Sequence, residues 1–223
     1  SNPANLLTGT ITVADGVLRP AVANAFSPLG LVNVGSLGTF DLNALGTVIG
    51  SLSGDGFVTN NAGSATLRIG ADDTSSTFSG RFGSNTQIGT NFNLDKIGNG
   101  VLTISSAAGA NTVSIGGATV SRGSLQLSGA AGSVRFGTYT LLSGGSLILD
   151  NTTANLNGRL GGVDLAATNR ALVINGGTLN ILGNAGAPTV ETLNSGTTGN
   201  LTIGSGGGVI TLTPNAAQPL SMS

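Results

Sequence analysis

The chain contains no cysteine, no histidine and no tryptophan. Without cysteine there are no disulfide staples and no thiolate metal sites. Without histidine or cysteine, no Ser-His or Cys-His nucleophile can be assembled. Charge is scarce too: 8% of residues are charged and the net charge is −1, against about a quarter charged in ordinary soluble domains. The eight cations, Arg19, Arg68, Arg81, Lys96, Arg122, Arg135, Arg159 and Arg170, are spread along the chain. Nucleic-acid recognition needs clustered cations with stacking aromatics, and aromatics make up only 4% here. That partner class is excluded. No apolar run reaches the roughly 18 residues of a membrane-spanning helix. The start, Ser1-Asn-Pro-Ala4, lacks the basic and apolar regions of a signal peptide. A leader is therefore expected to have been removed, or the segment to be an excerpt of a longer chain.

What the chain does contain is 39% hydrophobic residues and 38 glycines in 223 residues. Disorder is excluded, because disordered chains combine low hydrophobicity with high charge. Helical periodicity is nearly absent. Short alternating runs recur instead, such as Leu6–Val13, Ala65–Ile69, Val101–Ile104, Leu172–Ile174 and Val209–Thr213, each bounded by Gly, Asn or Ser. These read as strands.

One phrase repeats: glycine, then residues alternating toward the core. It occurs at Gly16, Gly38, Gly100, Gly123, Gly145, Gly177 and Gly199, at separations of 22, 62, 23, 22, 32 and 22 residues. A unit of about 22 residues cannot bury its own apolar face, so copies must stack. The expected fold is all-β: a single right-handed parallel β-helix over 1–223, of about ten coils and roughly 50 Å long at the sheet spacing. Interior ladders of Val, Leu and Ile are expected, with Phe26, Phe40, Phe57, Phe78, Phe82, Phe92 and Phe136 in the wider core. Thr12–Leu18 aligns with Thr119–Leu125 at an offset of 107, which suggests internal modules of approximately 1–106 and 107–223. No capping helix is visible at either end, so the rod is expected to continue in further residues or to stack end to end.

Candidate chemistry is thin. Polysaccharide lyases and hydrolases on β-helices use paired acids or Ca²⁺. Among nine acids only Asp72 and Asp73 are adjacent. They are the only candidates for a metal, and a weak pair, because Asp in such a polar stretch commonly bonds its own backbone in a turn. Asp55 reads as a turn residue, and Asp41 and Asp150 as strand-end caps. Gly204–Gly208 lacks the Lys-Ser/Thr and helix of a phosphate loop. No catalytic or cofactor-binding residue is assigned, and no cofactor is expected. Asn151-Thr-Thr and Asn200-Leu-Thr match glycosylation acceptors, a match common by chance in Asn/Thr-rich sequence. Thr10-Ile-Thr12 and Thr211-Leu-Thr213 are similar to ice-binding pairs, but such pairs do not recur in every coil. The stretches 65–100 and 145–177 are candidate presenting loops.

The segments Asp41–Gly56, Thr77–Gly80, Lys96-Ile-Gly-Asn-Gly-Val-Leu-Thr-Ile104 and Gly117-Ala-Thr-Val-Ser-Arg-Gly-Ser-Leu-Gln-Leu127 resemble the autotransporter-associated β-strand repeat of bacterial surface proteins. The resemblance implies a parallel β-helix, secreted or displayed at the cell surface, without the membrane-inserting barrel. It also implies an ordinary surface role for Lys96. The expectation is a non-enzymatic, extracellular structural protein that contributes to a fibre, filament or matrix by stacking of coils. Its partner would be itself, or a continuation of its own chain. The alternative is an adhesin-type passenger stalk that presents loops to carbohydrate or another surface.

Overall fold

The computed structural model describes residues 8–83, 92–105, 115–132, 136–160, 171–192, 201–215 and 218–222, the side chains of Ile115 and Phe136 excepted. Strands alone make up the regular structure of these residues. The first ten are Thr10–Leu18 (β1), Leu31–Asp41 (β2), Thr47–Ile49 (β3), Ser51–Gly54 (β4), Phe57–Thr59 (β5), Ala65–Ile69 (β6), Ser76–Phe78 (β7), Arg81–Phe82 (β8), Phe92–Lys96 (β9) and Val101–Ile104 (β10). The rest are Ile115–Val120 (β11), Gly123–Leu127 (β12), Phe136–Leu142 (β13), Gly145–Asp150 (β14), Ala171–Asn175 (β15), Thr178–Leu182 (β16), Thr189–Glu191 (β17), Leu201–Ile203 (β18), Val209–Thr213 (β19) and Leu220–Met222 (β20).

The strands form three sheets. Sheet A is eleven-stranded in the order β19-β16-β14-β12-β10-β7-β4-β2-β5-β8, with β1 added on β2. Sheet B runs β18-β15-β13-β11-β9-β6-β3, and sheet C is the pair β17-β20. Every strand pair is parallel, apart from one isolated antiparallel bridge between Leu142 and Gly176. From β9 to β16 successive strands alternate between sheets B and A, and before that one sheet-B strand follows each pair of sheet-A strands; each strand then pairs with its counterpart one coil earlier. This is the arrangement of stacked parallel sheets, compatible with a β-helical solenoid.

Period-2 alternation decides what lies inside. On β14 the pattern is strictly buried, half-buried, buried, because successive side chains point to opposite faces. One interior column can be followed through sheet A: Val13, Val34, Gly54, Phe78, Ile104, Leu127, Leu149, Ile181, Leu212. Gly54 pairs with Phe78, and its φ of +99° and close approach to the Val34 carbonyl leave no room for a side chain there. The aromatic part of the core is Phe26 edge-on to Phe40 at 5.3 Å, and Phe78, Phe82 and Phe92 in a chain at 4.9 and 5.8 Å. Phe57 departs from the expected set. It is half-buried, with the Arg81 guanidinium 5.7 Å over its ring.

The coil is not constant in length. Leu102 pairs with Leu125 and Leu125 with Leu147, steps of 23 and 22 residues. Leu147 then pairs with Leu179 and Leu179 with Ile210, steps of 32 and 31. The added residues of the second step include β17, one of the two strands of sheet C. The glycine phrase at 199 therefore belongs elsewhere than its spacing suggested. Gly199 itself lies outside the described residues, but Leu201–Ile203 is on sheet B, paired with β15. The repeat at offset 107 also spans unlike elements: Thr12–Leu18 is one strand of sheet A, whereas Thr119–Leu125 turns from β11 to β12.

Candidate functional site

The two ends of the stack differ from everything between them. The exposed large apolar residues are Val17, Val22, Leu29 and Leu37 in β1, β2 and their connection, and Leu201, Ile203, Val209 and Leu212 in β18 and β19. No strand between these groups contributes one among the described residues. Ile174 and Ile203 are register partners, and so are Ile181 and Leu212. The first of each pair is fully buried, while Ile203 is 50% and Leu212 42% exposed. Each terminal residue occupies a core position, and no described strand pairs on its outer side. At the opposite end, residues 20–30 form no strand. Phe26 from this segment packs on Phe40, and the Asn24 N–H donates to Gly46 O at 3.1 Å. That end is partly filled by an irregular segment; at the other, Leu220 and Met222 pack against the core, and no described strand pairs on the outer side of β18 or β19.

Asp72 and Asp73 sit in the turn after β6. Asp72 Oδ1 accepts from the Thr74 N–H at 3.1 Å and its Oδ2 from Thr74 Oγ1 at 2.8 Å. Asp73 Oδ1 accepts from the Asn99 N–H at 2.6 Å and Asn99 Nδ2 at 3.1 Å. Asp72 caps its own turn, while Asp73 ties two neighbouring coils together. Among the described residues, no group of three or more His, Cys, Asp or Glu gathers for a metal ion.

Lys96 overturns the surface role expected of it. It is 1% exposed, at the end of β9. Its ammonium donates to Ile97 O, to Gly98 O at 3.0 Å and to Arg122 O at 3.4 Å. It thus satisfies carbonyls that turn inward at the corner between sheets B and A. Burial lowers its pKa to about 8, against the opposing pull of Asp73, Asp72 and Asp95. The glycines of the Lys-x-Gly segment follow from this crowding. Gly98 has φ +69°, and a Cβ there would run into the Gly70 carbonyl of the coil beneath.

A second buried polar cluster went unseen in the sequence. Arg159, Glu191 and Asn151 are all fully buried. Arg159 donates from Nε to Asn151 Oδ1 at 2.8 Å, from Nη1 to Gly132 O at 2.9 Å and from Nη2 to Ala154 O at 2.8 Å. Glu191 accepts the backbone N–H groups of Arg159 and Leu160 at 2.8 and 2.9 Å. Burial raises the Glu191 pKa to about 7, although those two N–H groups and Arg159 favour its charged form. Burial likewise lowers Arg159 to about 10, with Asp150 and Glu191 opposing. The cluster pins the 154–160 segment to β17. Its Asn151 Nδ2 is buried without a hydrogen-bond partner. Asn151 is consequently closed to glycosylation; Asn200, the other acceptor match, lies outside the described residues.

The remaining candidates are structural in their contacts. Asp41 is nearly fully buried and accepts from Arg19 Nε at 2.8 Å, from the Asn43 and Asn61 N–H groups and from Asn61 Nδ2. Burial raises its pKa, but these bonds together outweigh it and leave the carboxyl below its ordinary value. Asp150 accepts from Gln126 Nε2 and from Thr152. Asp55 lies in the turn between β4 and β5, its N–H donating to Val34 O. Gly206, in the glycine run, donates its N–H to Asn175 Oδ1. The Thr pairs stand at opposite ends of sheet A, with Asn33, Thr103, Gln126, Ile148 and Asn180 among the outward residues between them. Of the presenting-loop stretches, 84–91 and 161–170 lie outside the described residues. An open cleft of about 380 Å³ on the outside of sheet B is lined by Asn24, Val48, Thr66 and Arg68, among others.

No protein-family model, no curated protein and no solved structure matches the chain.

Proposed function

We propose that this is a structural protein: a single right-handed parallel β-helix of about ten coils, which contributes to a fibre or matrix at a bacterial surface by stacking of coils. The likeness to the autotransporter-associated β-strand repeat supports the extracellular placement and the non-enzymatic role. One observation carries the reading. Among the described residues, exposed large apolar side chains collect in β1, β2 and their connection at one end and in β18 and β19 at the other, and on no strand between. Exposed apolar patches mark interaction sites. Patches confined to the two ends of a parallel ladder mark association along its axis.

Electron microscopy of the purified chain tests this. Elongated particles that lengthen with concentration are expected. Compact particles of fixed size at high concentration would refute it.

The second reading, a passenger stalk that binds carbohydrate, is favoured only by the cleft beneath Asn24 and Arg68. Among the described residues that cleft has no aromatic lining residue for a sugar to stack on. A glycan array answers this reading: signal lost in an Arg68→Ala variant would favour it, and a blank array would remove it.

A further inference from the structure

Coils can be covered in more than one way, and the strand edges specify which. This inference rests on the structural reading above and names the partner of the terminal strands. In a parallel ladder the two outer edges are unlike, and each complements the other, because the step that carries one strand onto the next also carries the last edge toward the first. Identical edges brought face to face would have to pair antiparallel, a pairing absent from every strand ladder described here. A second copy moved along the axis meets the stack in the sense the stack already has.

The register is legible residue by residue. Val13 and Leu212 are the two ends of one interior column, and each intermediate position of that column pairs with the next. Ile11 on β1 and Ile210 on β19 are the inward residues before them, and both are half-buried. Thr12 and Thr211 point outward between these inward positions, and both are exposed. Placed in continuation, Val209–Leu212 would lie against Thr10–Val13 of the next copy. The inward pairs would be Ile210 with Ile11 and Leu212 with Val13, and Thr211 would stand over Thr12.

Charge does not guard this joint. Thr10–Val13 carries no charge, and neither does any residue after Glu191. Sheet edges that avoid pairing usually carry charges, proline or a bulge. On β1 the bulge and Asp15 lie beyond Val13, outside the four residues concerned. Sheet B does not continue across the joint, since residues 20–30 form no strand there. The contact is therefore one short ladder with apolar cover, and it forms only as concentration rises.

We infer that copies of this chain add head to tail, β19 of one pairing in parallel with the edge of β1 of the next on which no described strand pairs. A contact between two different patches does not close on itself, and its product is an open filament.

The absence of native cysteine makes this directly testable. Neighbouring strands are about 4.8 Å apart, close enough for a disulfide. A double variant, Thr12→Cys with Thr211→Cys, should run under oxidising conditions as a ladder of dimer, trimer and higher species on a non-reducing gel. Each single variant alone should stay monomeric. So should Thr77→Cys with Thr211→Cys, since Thr77 is exposed on β7, away from both ends. Dimers of the Thr211→Cys single variant would overturn the proposal in favour of tail-to-tail pairing. A double variant with no ladder at any concentration would overturn stacking altogether. Rod-shaped single particles in the micrographs would then still uphold the β-helical rod, while compact particles would remove both.

Discussion

Ile181 and Leu212 are paired in register on adjacent strands, yet the first is fully buried and the second is 42% exposed. The same residue class in the same column differs only in having a neighbour on both sides or on one. Ile181→Ala should therefore cost about 2–5 kcal/mol, as for buried aliphatic truncations. Leu212→Ala should cost well under half of that in the isolated chain. Urea unfolding of the two variants, below the concentration at which copies associate, checks the contrast.

Lys96→Met removes the donor for Ile97 O, Gly98 O and Arg122 O. Unsatisfied buried acceptors cost about 1–3 kcal/mol, so destabilisation of that order is expected near neutral pH. The pH dependence is the sharper readout. The folded-state pKa of about 8 lies below the ordinary 10.5. Between these values the unfolded chain holds the extra proton, so stability rises with pH across this window. Arg159 is shifted in the same direction, but only above about 10. The rise between about 8 and 10 should vanish in Lys96→Met.

Glu191 has the opposite sign. Its folded pKa of about 7 lies above the ordinary 4.5. The folded chain holds the proton between these values, so the contribution is complete below about 4.5 and lost as pH rises through 7. Denaturation midpoints should fall between pH 4.5 and 8, and Glu191→Gln should flatten that fall. Asp41 is lowered from 3.8. The stability it contributes is lost only as pH drops below that range, so it does not obscure the measurement.

Gly98→Ala should destabilise by about 1–3 kcal/mol, the cost of holding a side chain at an unfavourable φ, with the clash against the Gly70 carbonyl added. Gly144→Ala provides the comparison: its φ is +87°, but a Cβ there meets nothing within 4 Å. Thermal melting should rank Gly98→Ala as the less stable variant.

Calcium should leave the melting temperature unchanged, because both carboxylate oxygens of Asp72 are engaged by Thr74 and Oδ1 of Asp73 by Asn99. Asp73→Ala should lower it, through loss of the tie between coils. Melting with calcium and with chelator, for the wild type and this variant, separates the two roles.

The strand character of the chain was legible because alternation is local. Val101–Ile104, Ala65–Ile69 and Val209–Thr213 each show it within five residues, and each is a strand. The core ladders followed from the same pattern. Lys96 was misread because a lone lysine reads as solvent-facing until the carbonyls that receive it are known, and Arg122 O is 26 residues away. Arg159 and Glu191 were invisible for a similar reason. Their partners are contributed by Gly132, Asn151 and each other's segment, none of which forms a motif. The 32-residue separation of Gly145 and Gly177 was legible as one longer coil, and Leu147 pairs with Leu179 across it; that the next coil is as long was not, because the glycine phrase at 199 kept the shorter spacing.

By itself the sequence determined that this chain is built of short strands, that its core is mostly aliphatic, and that it has no histidine or cysteine to complete a Ser-His or Cys-His nucleophile. Each of these depends on residue type and nearest-neighbour pattern. Only the tertiary structure decided which strand lies on which, which charges are buried, and that exposed apolar residues gather at the two ends of the stack. Those properties depend on how far the chain travels before it returns to pair, a distance set by turns and connections with no periodicity of their own.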